Sequence, residues 1–115
     1  MKYNNQKVLI TGGSSGIGLA LAKKFIDNNN TVIITGRNFA KLEKVKAENP
    51  KIHFFQSDVT SDAEVRKLSD DIDQQFGGID VLINNAGIMC FKVNLYLIVW
   101  CETKASKRLE SIQSK

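Results

Sequence analysis

The sequence predicts an α/β fold in which a doubly wound parallel sheet carries helices on both of its faces. Four apolar runs with strand character alternate along the chain with three amphipathic segments of helical periodicity. The connections are short, so each crossover from one strand to the next passes through a helix. Such crossovers are right-handed, which predicts the strand order 3-2-1-4 with the topological switch point between the first and fourth strands.

The first strand is predicted over Val8–Ile10, and a glycine-rich turn joins it to a helix that begins near Ser15. The residues that recur at helical spacing in this helix are Ile17, Ala20, Leu21 and Phe25. Three asparagines at 28–30 favour its end, because asparagine prefers caps and turns to helix interiors.

The second strand is predicted over Thr31–Thr35, an apolar and β-branched run that suits an interior strand buried on both faces. A second helix is predicted from Phe39 to about Glu48, and Pro50 stops it. A third strand follows over Ile52–Gln56.

The third helix is predicted to begin at Ser61, which forms a Ser-x-x-Glu capping box with Glu64. Its apolar stripe consists of Val65, Leu68, Ile72 and Phe76. Two glycines at 77–78 end this helix, and a fourth strand is predicted over Ile79–Ile83.

Composition argues against several classes of protein. With 43% hydrophobic and 24% charged residues and a net charge of +4, the chain resembles an ordinary globular protein, and no nucleic-acid partner is expected. Cys90, Cys101 and the single histidine, His53, form no metal-ligand or disulfide pattern, so no metal is expected and His53 is predicted to be structural. No signal peptide and no apolar stretch of about 18 residues is found, which predicts a cytoplasmic protein without a membrane partner.

The turn after the first strand has the composition of a phosphate-binding loop. Gly12 suits a tight turn with positive φ, Gly16 lets a ligand approach the backbone, and Gly18 lets the helix pack closely on the strand. The helix N-terminus presents unpaired N–H groups and the positive end of the helix dipole, which favour a phosphate. Ser14 and Ser15 can either cap the helix or donate to that phosphate. The alternative is a turn that uses glycine for geometry alone.

These glycines follow a Gly-x-x-x-Gly-x-Gly pattern that is preceded by Thr11 and contains Ile17. Motifs at the carboxyl ends of the next three strands are Gly36-Arg37, Asp58-Val59 and Asn84-Asn85-Ala86-Gly87. Together the four motifs resemble the short-chain dehydrogenase/reductase family over residues 7 to about 88. The resemblance implies a Rossmann-type fold, a dinucleotide cofactor, and hydride transfer between the cofactor and a carbonyl or alcohol. It also places Ile17 among the cofactor-binding residues.

Arg37 predicts which nicotinamide cofactor is bound. Gly36 occupies the position, about 20 residues beyond the loop, where an acidic residue would bind a free ribose 2′-hydroxyl. Arginine at the next position suits a 2′-phosphate, and such a charged hydrogen bond contributes about 1.5 to 3 kcal/mol. NADP(H) is therefore expected in preference to NAD(H). The alternative is a solvated arginine after a turn.

The remaining motifs are implied to bind the rest of the nucleotide. The Asp58 carboxylate would contact the adenine amino group and the Val59 N–H a ring nitrogen, although Asp58 also suits a turn or cap before Ser61. The segment implied to lie along the ribose is Asn85, Ala86 and Gly87. Asn84 is expected instead to tie adjacent strands together.

No catalytic residue is assigned. The family's acid/base chemistry needs a tyrosine whose pKa is lowered by a lysine four residues later, because an unperturbed tyrosine is a poor base at neutral pH. Tyr3 and Lys7 have that spacing but precede the first strand, and Tyr96 is followed by Trp100 at that position. The chain therefore resembles only the cofactor-binding part of the family.

We predict a dinucleotide-binding half-domain over 1–88 and a divergent tail over 89–115. The apolar part of the tail, 88–101, suits either a fifth strand or a helix, and the polar remainder has only Leu109 and Ile112 at helical spacing. If neither forms, the fourth strand has a bare edge that a homo-oligomer or another partner would cover. Such a tail suggests a truncated, internally deleted or frame-shifted product, and the alternative functions are a non-catalytic nucleotide-binding module or an interaction fragment.

Overall fold

The computed structural model describes residues 4–58 and 61–85 together with the backbone of 110–113. Within these residues the elements follow in the order β1 (Lys7–Thr11), α1 (Gly16–Asp27), β2 (Thr31–Gly36), α2 (Phe39–Glu48), β3 (His53–Gln56), α3 (Asp62–Phe76), β4 (Val81–Asn84) and β5 (Glu110–Gln113). No helix in this part of the chain is long and apolar enough to cross a membrane.

All of these strands are parallel and form one sheet in the order β3-β2-β1-β4-β5. β1 lies beside both β2 and β4, with Val8 in register with Val32 on one side and Val81 on the other. The predicted order 3-2-1-4 is confirmed. The order reverses between β1 and β4, and a crevice at their carboxyl ends is where ligands of such sheets bind.

β5 comes from the polar end of the chain, where the sequence showed only weak helical spacing. Its residues 110–113 are in register with Val81–Asn84 along the whole of β4. Pairing with the open edge of a buried strand provides partners for backbone N–H and C=O groups, and this tertiary interaction overrides local preference. The bare edge on β4 is therefore absent, and the apolar run at 88–101 lies outside the described residues.

The core lies on both faces of the sheet. On one face, α1 and α2 pack against alternate residues of the strands in a cluster of Val8, Ile10, Ala22, Phe25, Val32, Ile34, Leu42, Val45, Ile52, Val81 and Ile83. The intervening strand residues Leu9, Ile33 and Leu82 point to the opposite face and are fully buried as well. α3 covers that face, where the centroid of its Phe76 ring lies 5.0 Å from the centroid of the His53 ring of β3. Burial of β2 on both sides confirms it as an interior strand.

The predicted apolar stripe of α1 is wrong in its first turns. The buried residues of this helix are Gly18, Ala22 and Phe25, whereas Ile17 is 57% exposed and Ala20 is exposed too. Gly18 packs so closely on the preceding turn that it fixes the rotation of the helix about its axis. Apolar character alone therefore does not show which residues in the first turns of α1 face the core.

α2 and α3 match their predictions. Each begins after a side-chain cap, with Asn38 accepting from the Lys41 N–H at 3.2 Å and Ser61 accepting from the Glu64 N–H at 3.3 Å. Three members of the predicted α3 stripe are buried: Val65, Leu68 and Ile72. The helix ends at Gly77, whose φ of 74° is the left-handed conformation of a C-cap.

Lys7 and Asp80 join β1, β4 and α3 at the amino edge of the sheet. The Asp80 carboxylate accepts from the Lys7 N–H at 2.9 Å, and the Asp80 N–H donates to the Lys7 carbonyl at 2.8 Å. The Lys7 ammonium donates to the Phe76 carbonyl, the last of α3, where a cation also complements the helix dipole. Lys7 thus lies at the opposite end of β1 from the glycine-rich turn.

We expect Asp80→Ala to lower the free energy of unfolding by about 1 to 3 kcal/mol, because it removes a charged acceptor from a partly buried N–H. Urea denaturation measures the change. Asp70→Ala, at an exposed position of α3, is the matched control and should change it by less than about 0.5 kcal/mol. Equal losses for the two variants would contradict the assigned role of Asp80.

Candidate functional site

The candidate site is the glycine-rich turn between β1 and α1, residues 12–16, which we call the glycine loop. Its start is fixed to the end of β2, because the Gly12 and Gly13 N–H groups both donate to the Thr35 carbonyl, at 3.0 and 3.2 Å. Gly12 has φ 70° and Gly16 has φ 59°. The positive φ predicted for Gly12 is confirmed, and Gly16 shares it.

Two glycines are required because neighbouring atoms leave no room for a Cβ. At Gly18 a Cβ would lie 2.3 Å from the Gly12 carbonyl oxygen and 2.5 Å from Asn85 Nδ2, which confirms the predicted close packing. At Gly13 it would lie 2.5 Å from Cγ2 of Ile34. No role is predicted for Gly13 from the sequence, because the space for a side chain there is limited by Ile34 of a different strand.

Gly16 differs from these two positions. A Cβ built there would have no described atom within 4 Å, so the backbone borders open space. Ser15, Gly16 and Ile17 are all exposed at this point. The loop therefore has an accessible surface at Gly16 where no side chain covers the backbone, which suits a ligand that approaches main-chain N–H groups.

The N-terminus of α1 lacks a side-chain cap, unlike those of α2 and α3. Ser15 is the N-cap residue with extended backbone, φ −158° and ψ 167°, and its side chain makes no capping hydrogen bond. The first turn also contains no acidic residue. Of the two roles left open for Ser15, capping is not observed. The first N–H groups of α1 have no intrahelical acceptor, and N–H groups at such a helix end, together with the helix dipole, favour an anion.

Asn85 joins the end of β4 to the glycine loop. Its N–H donates to Thr11 Oγ1 at 3.0 Å and its Nδ2 donates to the Gly12 carbonyl at 3.3 Å. The Thr11 hydroxyl in turn donates to the Ile83 carbonyl at 3.4 Å. The expectation that Asn84 ties the strands is therefore wrong: the tie is made by Asn85, whose side chain leaves the sheet beside the loop.

A layer of polar residues crosses the sheet just below the loop. Thr11 is in register with Thr35 on one side and with Asn84 on the other, and all three are buried. Thr35 Oγ1, Ser57 Oγ and both polar side-chain atoms of Asn84 have no hydrogen-bond partner among the described residues. Buried polar atoms are normally paired. The carboxyl edge of the sheet thus carries polar groups that the described part of the fold does not use.

Arg37 follows β2 directly and is exposed. Its carbonyl accepts from Gln56 Nε2 at 3.0 Å, and the Gly36 carbonyl accepts from the Ser57 N–H at 2.9 Å, so β3 holds the backbone of this pair. A Cβ at Gly36 would lie 3.4 Å from Ser14 Oγ. The end of β2 is therefore next to the glycine loop, with an exposed guanidinium and no carboxylate at position 36.

Asp58 lies between β3 and α3, and we call the described residues Ser57, Asp58 and Ser61 at this point the Asp58 turn. Its carbonyl accepts from the Ser61 N–H at 3.0 Å, and its own N–H donates to Oε1 of Glu64 at 3.1 Å. Capping of α3 belongs to Ser61, so Asp58 is not the cap. Among the predicted site residues, Val59, Ala86 and Gly87 lie outside the described residues.

His53 lies apart from this arrangement. It is at the exposed amino end of β3, where it packs on the Phe76 ring. Partial burial lowers the pKa of His53, and the nearby positive charge of Lys46 lowers it further. These contacts agree with the structural role predicted from the sequence.

Comparison with known protein families and curated proteins gives a consistent result. The model of the short chain dehydrogenase family matches residues 6–106. The chain is 46% identical over 88 residues to the uncharacterized oxidoreductase DltE of Bacillus subtilis (strain 168), covering 76% of this chain and 35% of that protein. It is 39% identical over 94 residues to the NADP-dependent (R)-specific alcohol dehydrogenase of Lentilactobacillus kefiri, covering 79% and 37%. The chain thus spans roughly a third of the length of these relatives.

Solved structures share the fold. The crystal structure of gox2181 superposes with a TM-score of 0.87 at 19% identity, covering 96% of this chain and 53% of that one. A short-chain dehydrogenase from Streptomyces avermitilis superposes with a TM-score of 0.81 at 20% identity, covering 97% and 49%. Both share the doubly wound parallel α/β fold.

Alanine substitutions separate the two kinds of glycine in the site. Gly18→Ala is expected to lower the free energy of unfolding by about 3 kcal/mol or more, because the new Cβ meets a backbone oxygen. Gly16→Ala is expected to lower it by only about 1 kcal/mol, the strain of a positive φ in open space. Urea denaturation measures both, and equal losses would contradict the packing described for Gly18.

Proposed function

The chain belongs to the short-chain dehydrogenase family, and from this premise we propose that it binds NADP(H) at the carboxyl edge of its sheet as the cofactor-binding part of an oxidoreductase. The observation that carries the proposal is the uncapped N-terminus of α1 beside the open space at Gly16. Residues 1–88 then form the dinucleotide-binding half-domain, and the tail over 89–115 adds β5 to the same sheet. The alternative of an interaction fragment without a nucleotide site is not favoured, because it leaves the glycine loop without a ligand.

The residues of the glycine loop fit a pyrophosphate. The backbone N–H groups of Gly16, Ile17 and Gly18 occupy the first turn of α1, where anions are favoured by the helix dipole. The hydroxyls of Ser14 and Ser15 are close in the chain, and the Ser15 side chain is not engaged in capping. A negatively charged residue in the first turn would repel a phosphate, and none is present.

Arg37 supports NADP(H) as the specific cofactor. Its guanidinium is exposed at the end of β2, the place where the adenosine ribose of a dinucleotide lies in such folds. Gly36 supplies no carboxylate for a free 2′-hydroxyl, and it neighbours Ser14 of the loop. The relative from Lentilactobacillus kefiri is named as NADP-dependent, which agrees with this assignment.

The adenine base is assigned to the Asp58 turn, and a ribose of the nucleotide to the segment at the end of β4. We propose that the Asp58 carboxylate binds the adenine amino group and that the Val59 N–H binds a ring nitrogen. The segment proposed to lie along the ribose is Asn85, Ala86 and Gly87. Asn85 already contacts the carbonyl of Gly12, so β4 and the glycine loop would bind the nucleotide as one unit.

When bound, the reduced cofactor would donate a hydride to a carbonyl, and the oxidised cofactor would accept one from an alcohol. This chain's own residues bind and orient the nucleotide. The Tyr3 and Lys7 pair has no acid/base role in this proposal, because Lys7 lies at the amino edge of the sheet and donates to the Phe76 carbonyl.

Charge reversal at Arg37 tests the cofactor preference. Arg37→Asp should weaken binding of NADPH by about 10- to 100-fold, the loss of a charged hydrogen bond, while NADH changes by no more than a few fold. Isothermal titration calorimetry measures both affinities. Lys51→Asp, an equal charge reversal at an exposed position before β3, should leave both within about twofold. An equal loss of NADPH and NADH affinity in Arg37→Asp would contradict the role of the 2′-phosphate.

A further inference from the structure

The Glu64 side chain makes an unusual contact for its place in α3. In a capping box the carboxylate at the third helical position accepts from the N–H of the N-cap residue, here Ser61. Instead, Glu64 Oε1 accepts from the N–H of Asp58 at 3.1 Å, six residues back along the chain. The Ser61 N–H donates to the Asp58 carbonyl at 3.0 Å. Only half of the capping box predicted from the sequence is therefore formed: Ser61 accepts from the Glu64 N–H, but the Glu64 carboxylate bonds to Asp58 instead of to the Ser61 N–H.

This extension fixes both backbone polar groups of Asp58. The Asp58 N–H is held by Glu64 and the Asp58 carbonyl by Ser61, while the Ser61 hydroxyl accepts from the Glu64 N–H at 3.3 Å. These three hydrogen bonds connect Asp58 to the N-terminus of α3. Because the peptide planes on either side of Asp58 are held, the direction in which its Cβ leaves the backbone is held too.

The same bond is expected to contribute little to global stability. The hydrogen bond between the Asp58 N–H and Glu64 is exposed, so water can replace the carboxylate as acceptor. The Glu64 side chain is itself exposed and packs in no core. Loss of this contact would chiefly increase the freedom of the Asp58 turn.

We infer that Glu64 is a positioning residue for the adenine end of the nucleotide, acting through Asp58. The inference rests on the function proposed above, in which the Asp58 carboxylate binds the adenine amino group. Glu64 pre-orders the turn so that this carboxylate faces the base before binding, and the ordering entropy is not lost when the nucleotide arrives. Substitution of Glu64 should therefore weaken binding of the adenine base and change binding of the phosphates little.

The test compares NADPH with its analogue that has unsubstituted purine in place of adenine, which lacks the amino group but keeps the ring nitrogens as acceptors. Affinities are measured by calorimetry on the full chain of 115 residues. The wild-type protein should prefer NADPH by about tenfold, the difference made by one charge-assisted hydrogen bond. Glu64→Ala should weaken NADPH by about three- to tenfold while changing the analogue by less than about twofold.

Glu64→Gln is the matched control, because its amide oxygen still accepts from the Asp58 N–H although the charge is lost. It should retain the wild-type ratio of the two affinities, whereas Asp58→Ala should abolish the preference. The double variant Asp58→Ala with Glu64→Ala should bind NADPH no more weakly than Asp58→Ala alone. A ratio in Glu64→Ala equal to that of the wild type, or an equal loss for both nucleotides, would overturn the positioning role.

Failure of the proposed function gives a different result. In that case the wild-type protein binds neither nucleotide, and the site and the role of Glu64 are both overturned. Hydrogen exchange of the Asp58 amide in the wild-type protein supplies a measurement that needs no variant. Slowed exchange is expected without nucleotide, and exchange at the rate of an unstructured peptide would overturn the contact on which the inference depends.

Discussion

The close approach of α1 to the end of β1 is the constraint on which the rest of the site depends. Gly18 sits where any Cβ would meet the carbonyl oxygen of Gly12, and Asn85 donates to that same oxygen. One backbone carbonyl thus brings together the glycine loop, the first turn of α1 and the end of β4. Because α1 is held this close, its N-terminus opens at the edge of the sheet where the strand order reverses, instead of over the apolar face.

The helix ends differ in a way that agrees with this division of roles. α2 and α3 satisfy an N-terminal N–H with Asn38 and Ser61, and such caps typically stabilise a helix by about 1 kcal/mol. α1 lacks this stabilisation, because the Ser15 side chain makes no capping hydrogen bond. The stability that is lost is small compared with the core on both faces of the sheet. An anion at this helix end would replace the missing acceptor and complement the helix dipole.

Much of the fold could be predicted from the sequence because local patterns and tertiary packing agree. The β-branched run at Thr31–Thr35, the capping Ser61 and the stripe of α3 each match the structure. The stripe of α1 was wrong in its first turns because Ile17 is apolar but exposed, and backbone contact at Gly18 decides the rotation of the helix. That Asn85 and not Asn84 ties β4 to the glycine loop could not be read from adjacent identical residues, since strand register decides which side chain reaches the loop.

Two further features depend on partners distant in the chain. Gly13 is required by Ile34 on another strand, and β5 forms where β4 has an open edge, although its own residues have no strand pattern. The assignment of Asp58 rested on motif resemblance, and that of Arg37 on its place after β2. The structure adds two neighbouring residues: Glu64 beside Asp58, and Ser14 beside Gly36, which precedes Arg37.

The most direct test of the central claim is a nuclear magnetic resonance titration that follows the backbone amides of the chain as NADPH is added. Binding of the pyrophosphate at the uncapped end of α1 predicts the largest shifts at Gly16, Ile17 and Gly18. The amides of Lys7, Gly77 and Asp80, at the opposite edge of the sheet, should shift much less. Shifts that leave the first turn of α1 unchanged while NADPH binds elsewhere would contradict the account.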